Sequence, residues 1–276
     1  MRWLSAFLVL WAAPASAQIK PVGAFSPDGA PAWVTFGALS GDAGYDDMVQ
    51  AAERSRATGF RWVLQLGFSA LPTAPAEEAA YWAVYRAKDA GLWPYVIAVT
   101  YGEEWYENFY ADAFAVYGFP LTRPDGPEQI RAWMSRQHCA LRVYGKPIVW
   151  VTGVVNAVRA VPDCTDVVAV DAYVPDGSTF SLIEPILAEA ETATTLPLVL
   201  IPRWFQMTGP RQGSAWHQMA SEPTKETVDG YARWLARPRW TALWGFLWAS
   251  RPGADLVGLA DLPNVRRWVE QSLGVK

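Results

Sequence analysis

Apolar residues in this chain gather into short continuous runs, and segments of helical period lie between those runs. Residues 94–101 (PYVIAVTY), 147–152 (PIVWVT), 167–173 (VVAVDAY), 198–204 (LVLIPRW) and 241–248 (TALWGFLW) are of this kind. Runs without polar alternation belong to strands buried on both faces, the habit of parallel sheets covered by helices. Two further strands are predicted at 32–39 (AWVTFGAL) and 60–68 (FRWVLQLGF), and a weak one at 21–25. Apolar or small residues at helical spacing predict helices over 42–58, 76–90, 127–144, 180–194, 225–236 and 264–273. Gly59, Gly91 and Gly145 stand where three of these must stop. Seven good strands and one weak one, mostly separated by helices, predict a single (β/α)8 TIM-barrel domain over 18–276. A doubly wound open sheet is the structural alternative. No Gly-rich phosphate loop follows any strand, which counts against its nucleotide-binding versions.

Connection lengths orient the barrel. Helix-to-strand joints are one or two residues, such as Gly59, Gly91 and Gly145-Lys146. Two strand-to-helix joints, 102–126 and 205–224, run to about 20 residues or more, against a usual median of about 4–6. Both follow the carboxyl ends of strands, so both crown one face, where barrels of this class carry their sites. Gly209, Pro210, Gly213 and Ser214 give the second joint freedom to move, and Trp204, Phe205 and Trp216 give it apolar surface to close as a lid.

The chain opens with Arg2, an apolar run over 3–13, and the small-residue site Ala15-Ser16-Ala17. This pattern predicts a secretory signal peptide over 1–17 and a periplasmic or extracellular product. The run is short for a membrane anchor, and no later segment predicts a membrane span. Removing Arg2 takes the formal charge from -4 to -5. A mildly acidic chain without a Lys/Arg cluster offers nucleic acid no electrostatic footprint. Cys139 and Cys164 are the only cysteines, and in an oxidising compartment they are expected to pair. Neither has a histidine at metal-ligand spacing, so no metal site and no cofactor is predicted.

Three acidic residues stand at predicted strand ends. The run 94–101 stops at Gly102, and Glu103 and Glu104 follow, set among Trp105, Tyr106, Phe109 and Tyr110. An aromatic surround suits sugar chemistry, because sugar rings stack on aromatic faces and a shielded carboxyl has a raised pKa. A solvated acidic pair at a helix start would look the same. Asp171 interrupts an otherwise apolar run, where an ionised group must be paired or face a polar cavity. A structural salt bridge to Arg203 is the plain alternative. Gln65, Tyr101, Tyr173, Trp204 and Trp248 are candidates to line a sugar groove, and Arg203 to orient a carboxylate or an anionic group. Each aromatic has core packing as its alternative.

The order YGEEWYE after an early-middle strand, DAYVPD after a later one and GFLWASRPG near the end resembles TIM-barrel glycoside hydrolases. That resemblance implies an acid/base Glu ending the fourth strand, commonly as Asn-Glu followed by Pro or an aromatic. Glu104-Trp105 matches the second half of this pattern, and Glu103 stands in place of the Asn. It also implies a nucleophilic Glu ending the seventh strand, where this chain reads LVLIPRWFQ without a carboxylate. The usual two-glutamate mechanism therefore does not carry over.

The expected function is glycoside hydrolysis of a poly- or oligosaccharide. Glu104 is the general acid, helped or replaced by Glu103, and Asp171 is the second carboxylate, because one group must be protonated while the other is ionised. A non-catalytic glycan-binding protein on a degenerate hydrolase barrel is the first rival. An exported assembly protein that presents its aromatic loops to a partner is the second.

Overall fold

A computed structural model of the chain describes residues 20–25, 27–66, 76–101, 126–153, 160–208, 219–245, 247–250 and 256–275. Eight parallel strands close into a barrel: β1 (Val22–Ala24), β2 (Val34–Ser40), β3 (Arg61–Gln65), β4 (Val96–Thr100), β5 (Ile148–Thr152), β6 (Val167–Asp171), β7 (Leu198–Ile201) and β8 (Trp240–Gly245). Each pairs with its successor, and β8 pairs with β1 through Leu243↔Val22, Trp244↔Gly23 and Gly245↔Ala24. Six helices are described: α1 (Tyr45–Thr58), α2 (Ala76–Asp89), α3 (Gly126–Leu141), α4 (Glu184–Ala193), α5 (Lys225–Leu235) and α6 (Pro263–Leu273). The chain is thus the predicted (β/α)8 barrel, and none of its described helices is long and apolar enough to cross a membrane.

Local chemistry sets the element ends. The Asp47 carboxylate accepts from the Gly44 backbone N–H at 3.0 Å at the start of α1, where negative charge also suits the helix dipole. Gly59 ends α1 at φ 74°, a left-handed cap that glycine adopts without penalty. Several strands are shorter than their apolar runs. β4 begins only after a 3-10 turn at Trp93–Tyr95, and β7 stops at Ile201 before Pro202.

Strand alternation sorts the core into two layers. Phe36, Ala38, Val63, Ala98, Val149, Val167, Ala169, Ile201, Ala242 and Trp244 belong to a cluster drawn from the strands and from Phe25 just past β1, which fills the lumen. Trp62, Leu64, Val99, Trp150, Val168, Val170, Leu200 and Leu243 belong to the other cluster, with Met48, Ala52, Leu187 and Val265 from the helices. Only nine residues, 25–33, join β1 to β2. That is below the dozen or so a helical crossover takes, and no helix stands there among the described residues.

Cys139 near the end of α3 and Cys164 in the β5–β6 crossover form a disulfide with Cα atoms 5.1 Å apart, as expected. Their neighbours make a second link: His138 Nδ1 lies 2.9 Å from Thr165 Oγ1, and both side chains are buried. A feature the apolar pattern did not announce is a two-stranded antiparallel ribbon, Gln206–Met207 with Leu256–Val257, above the β7–β8 side of the barrel.

Candidate active site

Every barrel strand contributes its last inward-facing residue to the carboxyl-end mouth. On β6, Val167 and Ala169 lie in the lumen layer, while Val168, Val170 and Ala172 lie in the helix-side layer. Alternation therefore turns Asp171 into the lumen, where it is 8% exposed, and Tyr173 packs against the same layer. The same count places Ser40 on β2, Gln65 on β3 and Thr100 on β4 inward. These three are register partners across neighbouring strands, so they form one polar arc. The wall between β8 and β1 is aromatic: Phe25, just past β1, stacks on Trp244 of β8 with centroids 4.1 Å apart and planes 7° apart, while Val151 of β5 and Ile201 of β7 close the lumen beside Asp171. The indole Nε1 of Trp244 is buried without a hydrogen-bond partner among the described residues.

The floor beneath Asp171 is fixed from behind. Tyr231 of α5 is fully buried, and its hydroxyl donates to the Ala172 carbonyl at 2.7 Å. Burial pushes that hydroxyl's pKa up, and the negative charge of Asp171 adds to the effect, so it remains a donor at any working pH. Gly230 lies against Phe180 so closely that a Cβ there would fall 2.2 Å from the ring, which presses α5 onto the segment after β6.

Arg203 has a structural occupation. It is 2% exposed, and its guanidinium donates to the Val174 carbonyl at 2.6 Å, to Asp176 at 2.7 Å and to the Ser221 carbonyl at 2.7 Å. Asp176 also accepts from the Ser221 backbone and hydroxyl. Partial burial alone would raise the Asp176 carboxyl; the hydrogen bonds from Ser221 and Arg203 outweigh it and hold the pKa below the usual range. The carboxylate that the sequence offered to Arg203 was Asp171, but the ion pair formed is with Asp176. The result is a brace that joins the loops after β6 and β7.

Of the other predicted site residues, Gln65 and Tyr173 face the mouth. Tyr101, Trp204 and Trp248 are 1%, 3% and 4% exposed and sit in the helix-side layer. They pack between barrel and helices, with Trp33 edge-on to Trp248 and Trp204 against Gly245. Phe205 is fully buried with Met207, Met219 and Leu247, so neither Trp204 nor Phe205 supplies closing surface to a lid. Glu103, Glu104 and Trp105, with most of the two long joints, lie outside the described residues. Among the described residues no group of three or more metal-ligating side chains comes together. Phe25, Ser40, Thr100 and Trp244 are mouth residues that the sequence reading did not single out. A polar residue closing a strand is a usable signal for Ser40 and Thr100, once the parity of the strand is known.

No family model matches the chain, and neither does any curated protein. Its fold has neighbours among solved structures of glycoside hydrolases. The Ignisphaera aggregans GH53 catalytic domain aligns with a TM-score of 0.57 at 11% identity, over 85% of this chain and 84% of that one. An active-site mutant of Rhizomucor miehei β-1,3-glucanosyltransferase, in complex with laminaritriose, aligns at 0.52 and 12% identity over 82% and 81%. Bacteroides uniformis β-glucuronidase 2, covalently bound to cyclophellitol-6-carboxylate aziridine, aligns at 0.51 and 14% over 78% of this chain. This chain spans 26% of the length of that enzyme. These neighbours are glycoside hydrolases built on TIM barrels, and at such identities the likeness is one of fold alone.

Proposed function

We propose that this protein is an exported glycoside hydrolase acting on a poly- or oligosaccharide at the carboxyl-end mouth of the barrel. The observation that carries the reading is the place of Asp171. It ends β6, faces the lumen by strand alternation, and shares the mouth with a polar arc and an aromatic wall. A sugar ring has one apolar face and a rim of hydroxyls, and such walls match it. In the proposed mechanism Asp171 is the carboxylate that attacks, activates water or stabilises the developing positive charge at the anomeric carbon. Glu104, helped or replaced by Glu103, protonates the leaving oxygen. The glycoside-hydrolase fold neighbours support this class of substrate. Export through a leader at 1–17 is part of the proposal, and the Cys139–Cys164 disulfide fits an oxidising compartment.

Release of reducing ends from a panel of polysaccharides tests the reading. Asp171→Asn and Glu104→Gln should each lower kcat by about 10²-fold or more while glycan binding changes little. Wild-type rates in both variants would end the proposal. A second reading, glycan binding without turnover, is favoured by one observation: β7 ends in Leu200-Ile201, and Arg203 beyond it is committed to the loop brace. Saccharide binding with no product in any assay, unaltered by Glu104→Gln, would select it.

A further inference from the structure

A cavity of about 690 Å³ opens beside the mouth, inside the range of about 300–1,000 Å³ typical of small-molecule sites. It straddles the barrel rim. Phe25, Ser40 and Gln65 reach it from the lumen side, where they also belong to the mouth; Leu39, Ala51 and Trp62 reach it from the helix side. The space exists because the nine-residue β1–β2 crossover brings no helix to fill the groove next to α1.

The lining says what would fit. Gln50 and Gln65 supply amides, Ser40 a hydroxyl, and Asp28 and Asp47 carboxylates, opposite a single guanidinium from Arg54. That guanidinium is already engaged, stacked 3.9 Å over the Phe60 ring and donating to the Pro27 carbonyl. Two carboxylates, of which Asp47 also caps α1, against one engaged cation leave the lining with a formal charge of about -1, which disfavours an anion. Amide, hydroxyl and carboxylate groups beside the Phe25 ring suit a neutral polyol. One face of that ring is held by Trp244.

We infer that the cavity is a saccharide subsite continuous with the mouth, which holds a neutral sugar unit one or more positions from the unit at Asp171. This rests on the proposed function and narrows it: the substrate is a neutral oligomer or polymer, and uronic acids are rejected at this position. Phe25 and Gln65, shared by both spaces, are the bridge across which the chain would pass.

Calorimetric titration with neutral gluco-, galacto-, manno- and xylo-oligosaccharides, from disaccharide to hexasaccharide, tests it. Affinity should rise with chain length for the accepted sugar. Gln50→Ala, on an exposed position of α1, should flatten that rise and weaken the longest ligand by about tenfold, with unchanged thermal unfolding. Ala43→Phe, which fills the space, should act the same way. An oligomer of the same length carrying uronic acids should bind about tenfold more weakly or worse. A length dependence untouched by both variants, or absent from the wild type, overturns the subsite while Asp171-dependent turnover leaves the proposed function standing. Tighter binding of the uronate oligomer overturns the neutral assignment. Failure of every saccharide to bind or be cleaved removes the proposed function and the subsite with it.

Discussion

Acid should loosen this protein through one residue, His138. Its ring is fully buried in contact with Trp150, Nδ1 lies 2.9 Å from Thr165 Oγ1, and Nε2 has no partner among the described residues. Burial, and secondarily the charge of Arg142, lowers its pKa from 6.5 to about 3. The folded state therefore keeps it neutral in a range where the unfolded chain takes up a proton. Stability rises with pH through that window, and the contribution is complete only above the unfolded value of 6.5. Each pH unit inside the window is worth about 1.4 kcal/mol, so acidifying from neutrality to about pH 4.5 should remove about 2–3 kcal/mol. Carboxylates such as Asp176, ordinarily near 3.8, act mainly below this range. Urea unfolding of wild type and His138→Gln at pH 4.5 and 7.5 isolates the effect. The variant is less stable overall, but its loss on acidification should be smaller by about 2–3 kcal/mol. Parallel losses in the two proteins would refute the argument.

The disulfide, the brace and the tight contact behind the site each give a further expectation. Cys139→Ser with Cys164→Ser should lower the unfolding free energy by about 3 kcal/mol in the chain-entropy view of a loop this long; equal urea midpoints would exclude that role. Gly230→Ala drives a methyl group into the Phe180 ring and should cost about 1–3 kcal/mol, and an unchanged melting temperature would show that α5 can simply move away. Arg203→Leu strips donors from Val174, Asp176 and Ser221 together and should speed amide exchange around 174–176 and 219–222; unaltered protection there would mean the brace is redundant.

The fold was legible because a doubly covered strand needs a run apolar on both faces, and such runs are conspicuous. The same property hid the parity of each strand. In the run 94–101 nothing in the side chains says which alternate set faces the lumen, so Tyr101 and Thr100 cannot be ranked from sequence. The register Gln65↔Thr100 settles it in favour of Thr100. Trp248 misled for another reason: the apolar run outlasts its strand, which stops at Gly245, and the lumen tryptophan is Trp244. Asp171 was readable because an acid inside VVAV-AYV has few places to go. Arg203 was half readable, since its burial demanded a carboxylate but two aspartates lay within reach in sequence. The cavity beside α1 had no signature, because it arises from a helix that the short crossover leaves out.

The bridge between α3 and the β5–β6 crossover also bears on how the chain is made. Its loop of 25 residues contains one whole barrel strand, β5, and closes before β6 begins. The two thiols can therefore meet once α3 and β5 have emerged and packed, without waiting for β6, β7 and β8 to shut the barrel. With two cysteines in the chain there is a single intramolecular pairing. No mispaired intramolecular disulfide is available to the monomer, so closing the bridge takes an oxidant but no isomerase.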